Sequence, residues 1–75
     1  MQNSPIALFV YNRLDNTQAT VDHLKRNSLA DESILYIFSD GGKNEESWKK
    51  VKEVRNYLHT ITGFKEVHII ERPEN

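Results

Sequence analysis

Three apolar segments alternate with two amphipathic ones along this chain of 75 residues. Residues 6–11 and 34–38 are continuous apolar runs, the pattern of strands that are buried on both faces of a parallel sheet. Residues 64–71 mix apolar and polar positions, which predicts a third strand nearer a sheet edge. Pro73 lies just beyond this strand and favours an exit turn, because proline cannot continue a central ladder.

The segment between the first two strands predicts an amphipathic helix. Asp15 or Asn16 is expected to cap its N-terminus, and Asn27 and Ser28 are expected to end it. Its apolar face is formed by positions at helical spacing, namely Leu14, Thr17, Val21, Leu24 and Ser28.

The segment between the second and third strands predicts a second helix. Asn44 is a natural N-cap, Glu45 and Glu46 suit the first turn, and Gly63 suits the C′ position. The apolar stripe consists of Trp48, Val51, Val54, Leu58 and Ile61. In this stripe we expect Trp48 to pack in the core rather than to serve as a binding platform.

The element order βαβαβ predicts an α/β fold with right-handed crossovers. The expected fold is a three-stranded parallel half of a doubly wound sheet, with strand order 3-2-1. This order places the first strand at an edge, although the strand carries no charge and no internal proline to protect it. We therefore expect residues 1–75 to be a single partial domain, the N-terminal part of a larger one. A dimer of two copies that pair through this edge would support that expectation.

Composition narrows the functional classes. The net charge is −1, which predicts neither a nucleic-acid partner nor a polybasic membrane segment. The longest apolar run is too short to span a bilayer and lacks the flanks of a signal peptide. The chain contains no cysteine, which favours a reducing, cytoplasmic location and excludes thiolate metal sites.

Polar residues follow two neighbouring strands of the predicted sheet. Tyr11, Asn12 and Arg13 end the first strand, and Asp40 and Gly41 end the second. Carboxyl ends of parallel strands meet at one edge, where open α/β sheets bind their ligands. Tyr11 offers a ring for stacking, Asn12 can donate and accept, Arg13 suits a phosphate, and Asp40 accepts hydrogen bonds. The same residues can also serve structure alone, as a packed ring, a cap, a solvated cation and a turn acceptor.

Several familiar sites do not fit. A dinucleotide-binding fingerprint needs glycines after the first strand, and residues 12–16 contain none. A P-loop needs a glycine upstream of Gly42-Lys43 and a Ser or Thr where Asn44 stands. The three histidines fall on different elements without metal-ligand spacing.

Residues 6–13, 37–41 and 69–75 together resemble the start of a family 2 glycosyltransferase with the GT-A fold. In that family, a tyrosine-asparagine pair and a basic residue end the first strand, as Tyr11, Asn12 and Arg13 do here. An acid-glycine pair at the second strand contacts the nucleotide, which corresponds to Asp40 and Gly41. Asn75 corresponds to an asparagine after the third strand.

The resemblance implies the nucleotide-binding part of an enzyme that transfers a sugar from a nucleotide diphosphate donor, most often a UDP-sugar. It implies nucleotide-binding roles for the five strand-end residues and no catalytic or metal-binding residue within the 75. The divalent metal (Mg or Mn) and the catalytic base of the full-length parent would come from later residues, so this chain alone is expected to be inactive. The alternative is a self-contained βαβαβ interaction module that associates through its exposed strand edge.

Overall fold

Strand β2 lies at the centre of a three-stranded parallel sheet in the order β1-β2-β3. The fold comes from a computed structural model that describes residues 5–27 and 29–73. The expected α/β class, with three parallel strands and two helices, is confirmed. The elements in chain order are β1 Ile6–Val10, α1 Leu14–Lys25, a short 3₁₀ helix Ala30–Glu32, β2 Ile34–Ser39, α2 Glu45–Leu58 and β3 Glu66–Glu71. Both β1 and β3 are edge strands in the described part of the chain, as the sequence predicted for them.

One face of the sheet carries the hydrophobic core. Leu35 and Ile37 point from β2 towards the helices and are fully buried, with 0% of their surface exposed. Val21 of α1 and Val54 and Leu58 of α2 belong to the same cluster, so both helices pack on this face. Ile61 also joins it, Val51 is fully buried, and Leu14 and Leu24 pack against the cluster. Most of the apolar positions predicted for the two helices therefore supply the core.

The opposite face of the sheet is covered by none of the described residues, and we call it the open face. Phe9 is 75% exposed there and Ile70 is 39% exposed. The prediction that β1 and β2 are buried on both faces is therefore wrong, because both helices lie on one side and burial alternates along the strands. The open face consists of Ala7, Phe9, Ile34, Tyr36, Phe38, Glu66, His68 and Ile70.

The N-terminus of α1 differs from the prediction. Arg13 occupies the N-cap position without a side-chain cap, and Asp15 lies in the first turn instead. The Asp15 carboxylate accepts a hydrogen bond from the backbone N–H of Asn16 at 2.9 Å, and the Thr17 hydroxyl donates to the Arg13 carbonyl at 2.7 Å. The helix therefore starts one residue before Asp15, at Leu14, and ends at Lys25.

The ends of α2 confirm one prediction and correct another. Asn44 is the N-cap, and its side-chain oxygen accepts from the Ser47 N–H at 2.9 Å while the Ser47 hydroxyl accepts from the Asn44 N–H at 3.0 Å. This reciprocal pair is a capping box. The helix ends at Leu58 with His59 as its C-cap, so Gly63 is not the C′ residue. Gly63 has a φ of 94° in the loop before β3, where glycine is favoured.

Other expectations fall on residues outside the described ranges. They concern Ser28 at the end of the first helix and Asn75. No helix in residues 5–27 and 29–73 is long and apolar enough to cross a bilayer.

The capping box yields a stability prediction. Asn44→Ala should lower the free energy of unfolding by about 1 kcal/mol, because the Ser47 N–H loses its acceptor. Asn56→Ala is the matched control, because Asn56 is an exposed position within the same helix. Urea denaturation followed by circular dichroism measures both variants, and equal stability of the two would contradict a role for the cap.

Candidate functional site

The parallel ladder extends one residue beyond the strands at their carboxyl ends. The Asp40 N–H donates to the Val10 carbonyl at 3.1 Å, and the Arg72 N–H donates to the Ser39 carbonyl at 2.8 Å. These two bonds hold the ends of all three strands together. Asp40 and Arg72 consequently lie side by side, directly after β2 and β3.

Asp40 and Arg72 continue the open face rather than the core face. Ser39, between Phe38 and Asp40, is fully buried on the helix side, so strand alternation directs Asp40 to the other side. A carboxylate oxygen of Asp40 lies 3.7 Å from a guanidinium nitrogen of Arg72, and both side chains are substantially exposed. Exposed ion pairs contribute between about 0 and 1 kcal/mol, so a ligand can compete for either partner at little cost.

Arg55 of α2 fastens the same strand ends from the helix side. Its Nε donates to the Ser39 hydroxyl at 3.0 Å, and its Nη2 donates to the carbonyls of Ser39 at 3.2 Å and Arg72 at 2.6 Å. The guanidinium also lies 5.2 Å from the centroid of the Trp48 ring, within cation–π range. Arg55 therefore ties α2 to the carboxyl ends of both β2 and β3.

Sequence reasoning missed the roles of Arg55 and Arg72. Arg55 was not among the predicted site residues, although its seven-residue separation from Trp48 puts the two on one helix face. Arg72 comes directly after β3, as Asp40 comes directly after β2. This matching position in the sequence could have predicted that Arg72 lies beside Asp40. Both interactions join residues far apart in sequence, which local patterns do not reveal.

The two glycines after Asp40 are both buried. A Cβ atom on Gly42 would lie 2.6 Å from Cγ of Trp48, closer than side-chain contacts allow. Gly42 is therefore needed for the approach of Trp48, which is half-buried against this turn. Trp48 packs against this turn and Arg55 but lies outside the hydrophobic core cluster, so the prediction that it packs in the core is not confirmed.

The residues after β1 divide between two grooves. Tyr11 and Arg13 line a groove of about 190 Å³ that runs along β1 and the start of α1. Asn12 lines a neighbouring groove of about 380 Å³ together with Arg13 and Lys50, between the start of α1 and the middle of α2. Arg13 is exposed, and its Nε lies 3.7 Å from the Asp15 carboxylate.

The five predicted site residues thus share one end of the sheet without forming a single pocket. The bond between Asp40 and Val10 brings the ends of β1 and β2 together at the backbone. Tyr11 and Arg13 share a groove, whereas Asp40 and Gly41 line neither of the grooves described above. The arrangement can accept and donate hydrogen bonds and can present two cations, Arg13 and Arg72, to an anionic ligand.

Within residues 5–27 and 29–73, no three His, Asp or Glu side chains are grouped closely enough to hold a metal ion. The carboxylate of Asp40 has a guanidinium as its neighbour, which is not a metal-binding environment.

The chain matches no protein-family model, no curated protein and no solved structure.

The Arg55 contacts lead to a second prediction. Arg55→Met keeps the aliphatic stem but removes three hydrogen bonds, so it should lower the free energy of unfolding by about 1–3 kcal/mol. It should also shift the backbone amide resonances of Asp40 and Arg72, because both amides belong to the ladder that Arg55 secures.

Lys52→Met is the control, since it removes an exposed cation from the same helix. Urea denaturation and ¹H–¹⁵N spectra of both variants make the comparison. Unchanged Asp40 and Arg72 resonances in Arg55→Met would contradict the positioning role of Arg55.

Proposed function

We propose that this chain is the nucleotide-sugar-binding part of a glycosyltransferase with a GT-A-like, doubly wound fold. The donor class is a nucleotide diphosphate sugar, with a UDP-sugar as the first candidate. The observation that carries the proposal is the row of strand ends, in which Asp40 is bound to β1 through its backbone and exposes its carboxylate. The resemblance of residues 6–13, 37–41 and 69–75 to family 2 glycosyltransferases supplies the substrate class.

Each part of a nucleotide has a chemically suitable partner at this edge of the sheet. The Asp40 carboxylate can accept a hydrogen bond from a base N–H or a ribose hydroxyl. Tyr11 provides a ring for a base, and Arg13 lines the same groove and can pair with a phosphate. Asn12 and the backbone at Gly41 complete the set, and Arg72 adds a cation beside Asp40.

In this proposal the chain recognises the donor and does not carry out the transfer. The Mg or Mn ion that would stabilise the diphosphate leaving group has no ligand set among the described residues. The proposal assigns the metal and the catalytic base to later residues of a longer parent, so the isolated 75 residues should show no sugar transfer. Within this proposal, the chain without cysteine functions in the cytoplasm.

The unpaired edge of β1 favours a second candidate, a self-contained interaction module. β1 pairs with β2 alone among the described strands, so its other edge offers backbone N–H and C=O groups to a further strand. In that function a homodimer would form through β1, and Asp40 would serve only to shape the turn after β2.

Titration with UDP distinguishes the two candidates. UDP and UDP-glucose should bind the 75-residue chain weakly and shift the amide resonances of Tyr11, Asn12 and Gly41. Asp40→Asn should weaken binding about tenfold, because a charge-assisted acceptor contributes about 1.5–3 kcal/mol at most and this one is partly exposed.

Asp31→Asn is the control, because Asp31 is an exposed acid on the 3₁₀ helix before β2. A titration with adenosine diphosphate tests whether the chain distinguishes the uracil base of UDP from another base. The absence of any shift at millimolar UDP, or equal affinity of the wild type and Asp40→Asn, would favour the interaction module.

A further inference from the structure

The open face of the sheet exposes two large hydrophobic side chains, Phe9 and Ile70. Its central part is a row of three side chains in register, Phe9, Phe38 and Ile70. Phe9 and Phe38 stack with ring centroids 5.1 Å apart, yet Phe9 remains 75% exposed. Contiguous exposed apolar patches of this kind mark interaction surfaces.

The adjacent row is equally well defined. Tyr36 and His68 stack with ring centroids 5.0 Å apart, and the third member of the row is Ala7 on β1. The open face thus has a large residue, Phe9, and a small one, Ala7, two positions apart on the same strand. The face therefore has a projection and a hollow within one strand.

The two ends of β3 carry opposite charges on the open face. Glu66 begins the strand, and Arg72 follows its last residue, with side chains on the same side because they are six positions apart. Glu66 lies 3.3 Å from His68, and Arg72 lies 3.7 Å from Asp40. The open face therefore carries a negative charge at the start of β3. Beyond the end of β3 it carries both a positive charge, the exposed Arg72, and the negative charge of Asp40.

We infer that the open face binds a second copy of this chain, face to face and with the strands of the two copies antiparallel. A two-fold axis perpendicular to the strands sets the row of Phe9 against the row of Ala7 of the second copy, so the projection meets the hollow. The same axis sets Glu66 against Arg72 of the other copy, twice. The two copies are thus complementary in shape at Phe9 and Ala7 and in charge at Glu66 and Arg72. In the same register Phe38 faces Tyr36, Ile70 faces His68 and Asp40 faces Ile34 of the second copy.

The other two-fold arrangement, with parallel strands, does not have this complementarity. It would set Asp40 against Asp40 of the second copy and Phe38 against Phe38, so like charges would face each other near the axis. Charge therefore selects the antiparallel arrangement. This inference does not rest on the glycosyltransferase proposal or on pairing through the β1 edge. It concerns the same surface as the candidate site, because Asp40 and Arg72 continue the open face, so a dimer of this kind would cover them.

The size of the face sets the expected strength of the dimer. Three strands spaced about 4.8 Å apart and six residues long give a footprint of about 300 Å² per copy. Stable interfaces bury about 800 Å² per partner, so we expect a weak dimer that dissociates on dilution from about 1 mM to about 10 µM. Stacked aromatic rings at its centre provide the principal contacts.

Sedimentation equilibrium of the 75-residue chain tests the inference. Ile70→Thr should weaken dimerisation about tenfold, because it removes apolar contact area and each substitution occurs twice in the interface. Threonine is chosen because it is β-branched and therefore keeps the preference for a strand. Leu29→Thr is a closely matched control, since Leu29 is 38% exposed against 39% for Ile70 and precedes the 3₁₀ helix, away from the open face. Phe9→Thr should have a larger effect than Ile70→Thr, and circular dichroism checks that each variant is folded.

A charge exchange tests the antiparallel arrangement. At low salt, Glu66→Arg alone should weaken the dimer several-fold because it sets two cations against each other. The double variant with Glu66→Arg and Arg72→Glu should recover most of the lost affinity, since opposite charges face each other again. Failure of the double variant to recover would overturn the arrangement.

Two further outcomes would overturn the inference. A dimer that tolerates Ile70→Thr and Phe9→Thr would form through another surface, such as the β1 edge. A chain that stays monomeric at about 1 mM would also overturn it, and binding of the dye ANS by that monomer would show that the open face requires a covering element from another polypeptide segment.

Discussion

The burial of one side of β2 beneath both helices is the constraint on which the rest of the structure depends. Leu35 and Ile37 contact a core built from α1 and α2, and β2 is also the strand that both β1 and β3 use as their partner. A change that lifted β2 from the helices would therefore remove the core and both ladders together. The burial of β2 also positions the residues at the carboxyl ends of the strands. Residues 40 and 72 are held by backbone hydrogen bonds that continue the same two ladders.

Arg55 connects this core to the polar edge. The guanidinium lies where two parallel strands end. It donates to the carbonyls of Ser39 and Arg72, and the Ser39 carbonyl also accepts from the Arg72 N–H. The guanidinium uses an aromatic ring on its own helix as support. α2, which buries one side of β2, therefore also holds β2 and β3 together at the candidate site through Arg55. A change in the packing of α2 would move the residues at this end of the sheet.

Features that depend on residues close in sequence, such as helix caps and apolar stripes, could be predicted for this fold. Contacts between residues far apart in sequence could not. Asn44 could be identified as a cap because its partner lies three residues away, and the stripe from Val51 to Ile61 could be identified from spacing alone. Phe9 could not be distinguished from Leu8 by pattern, because an aromatic residue on an uncovered face resembles one in a core. The contacts of Arg55 span 16 or 17 residues, and the Asp40–Arg72 pair spans 32 positions, so only the folded sheet reveals them.

Trp48 gives the molecule an optical property that follows directly from its packing. It is the single tryptophan of the chain, and its ring lies between the turn at Gly42 and the cation of Arg55. Its emission therefore originates beside the turn that follows Asp40, with almost no contribution from elsewhere in the fold. The polar edge of the sheet thus carries its own fluorophore, and movements of this turn can be followed without attaching a label.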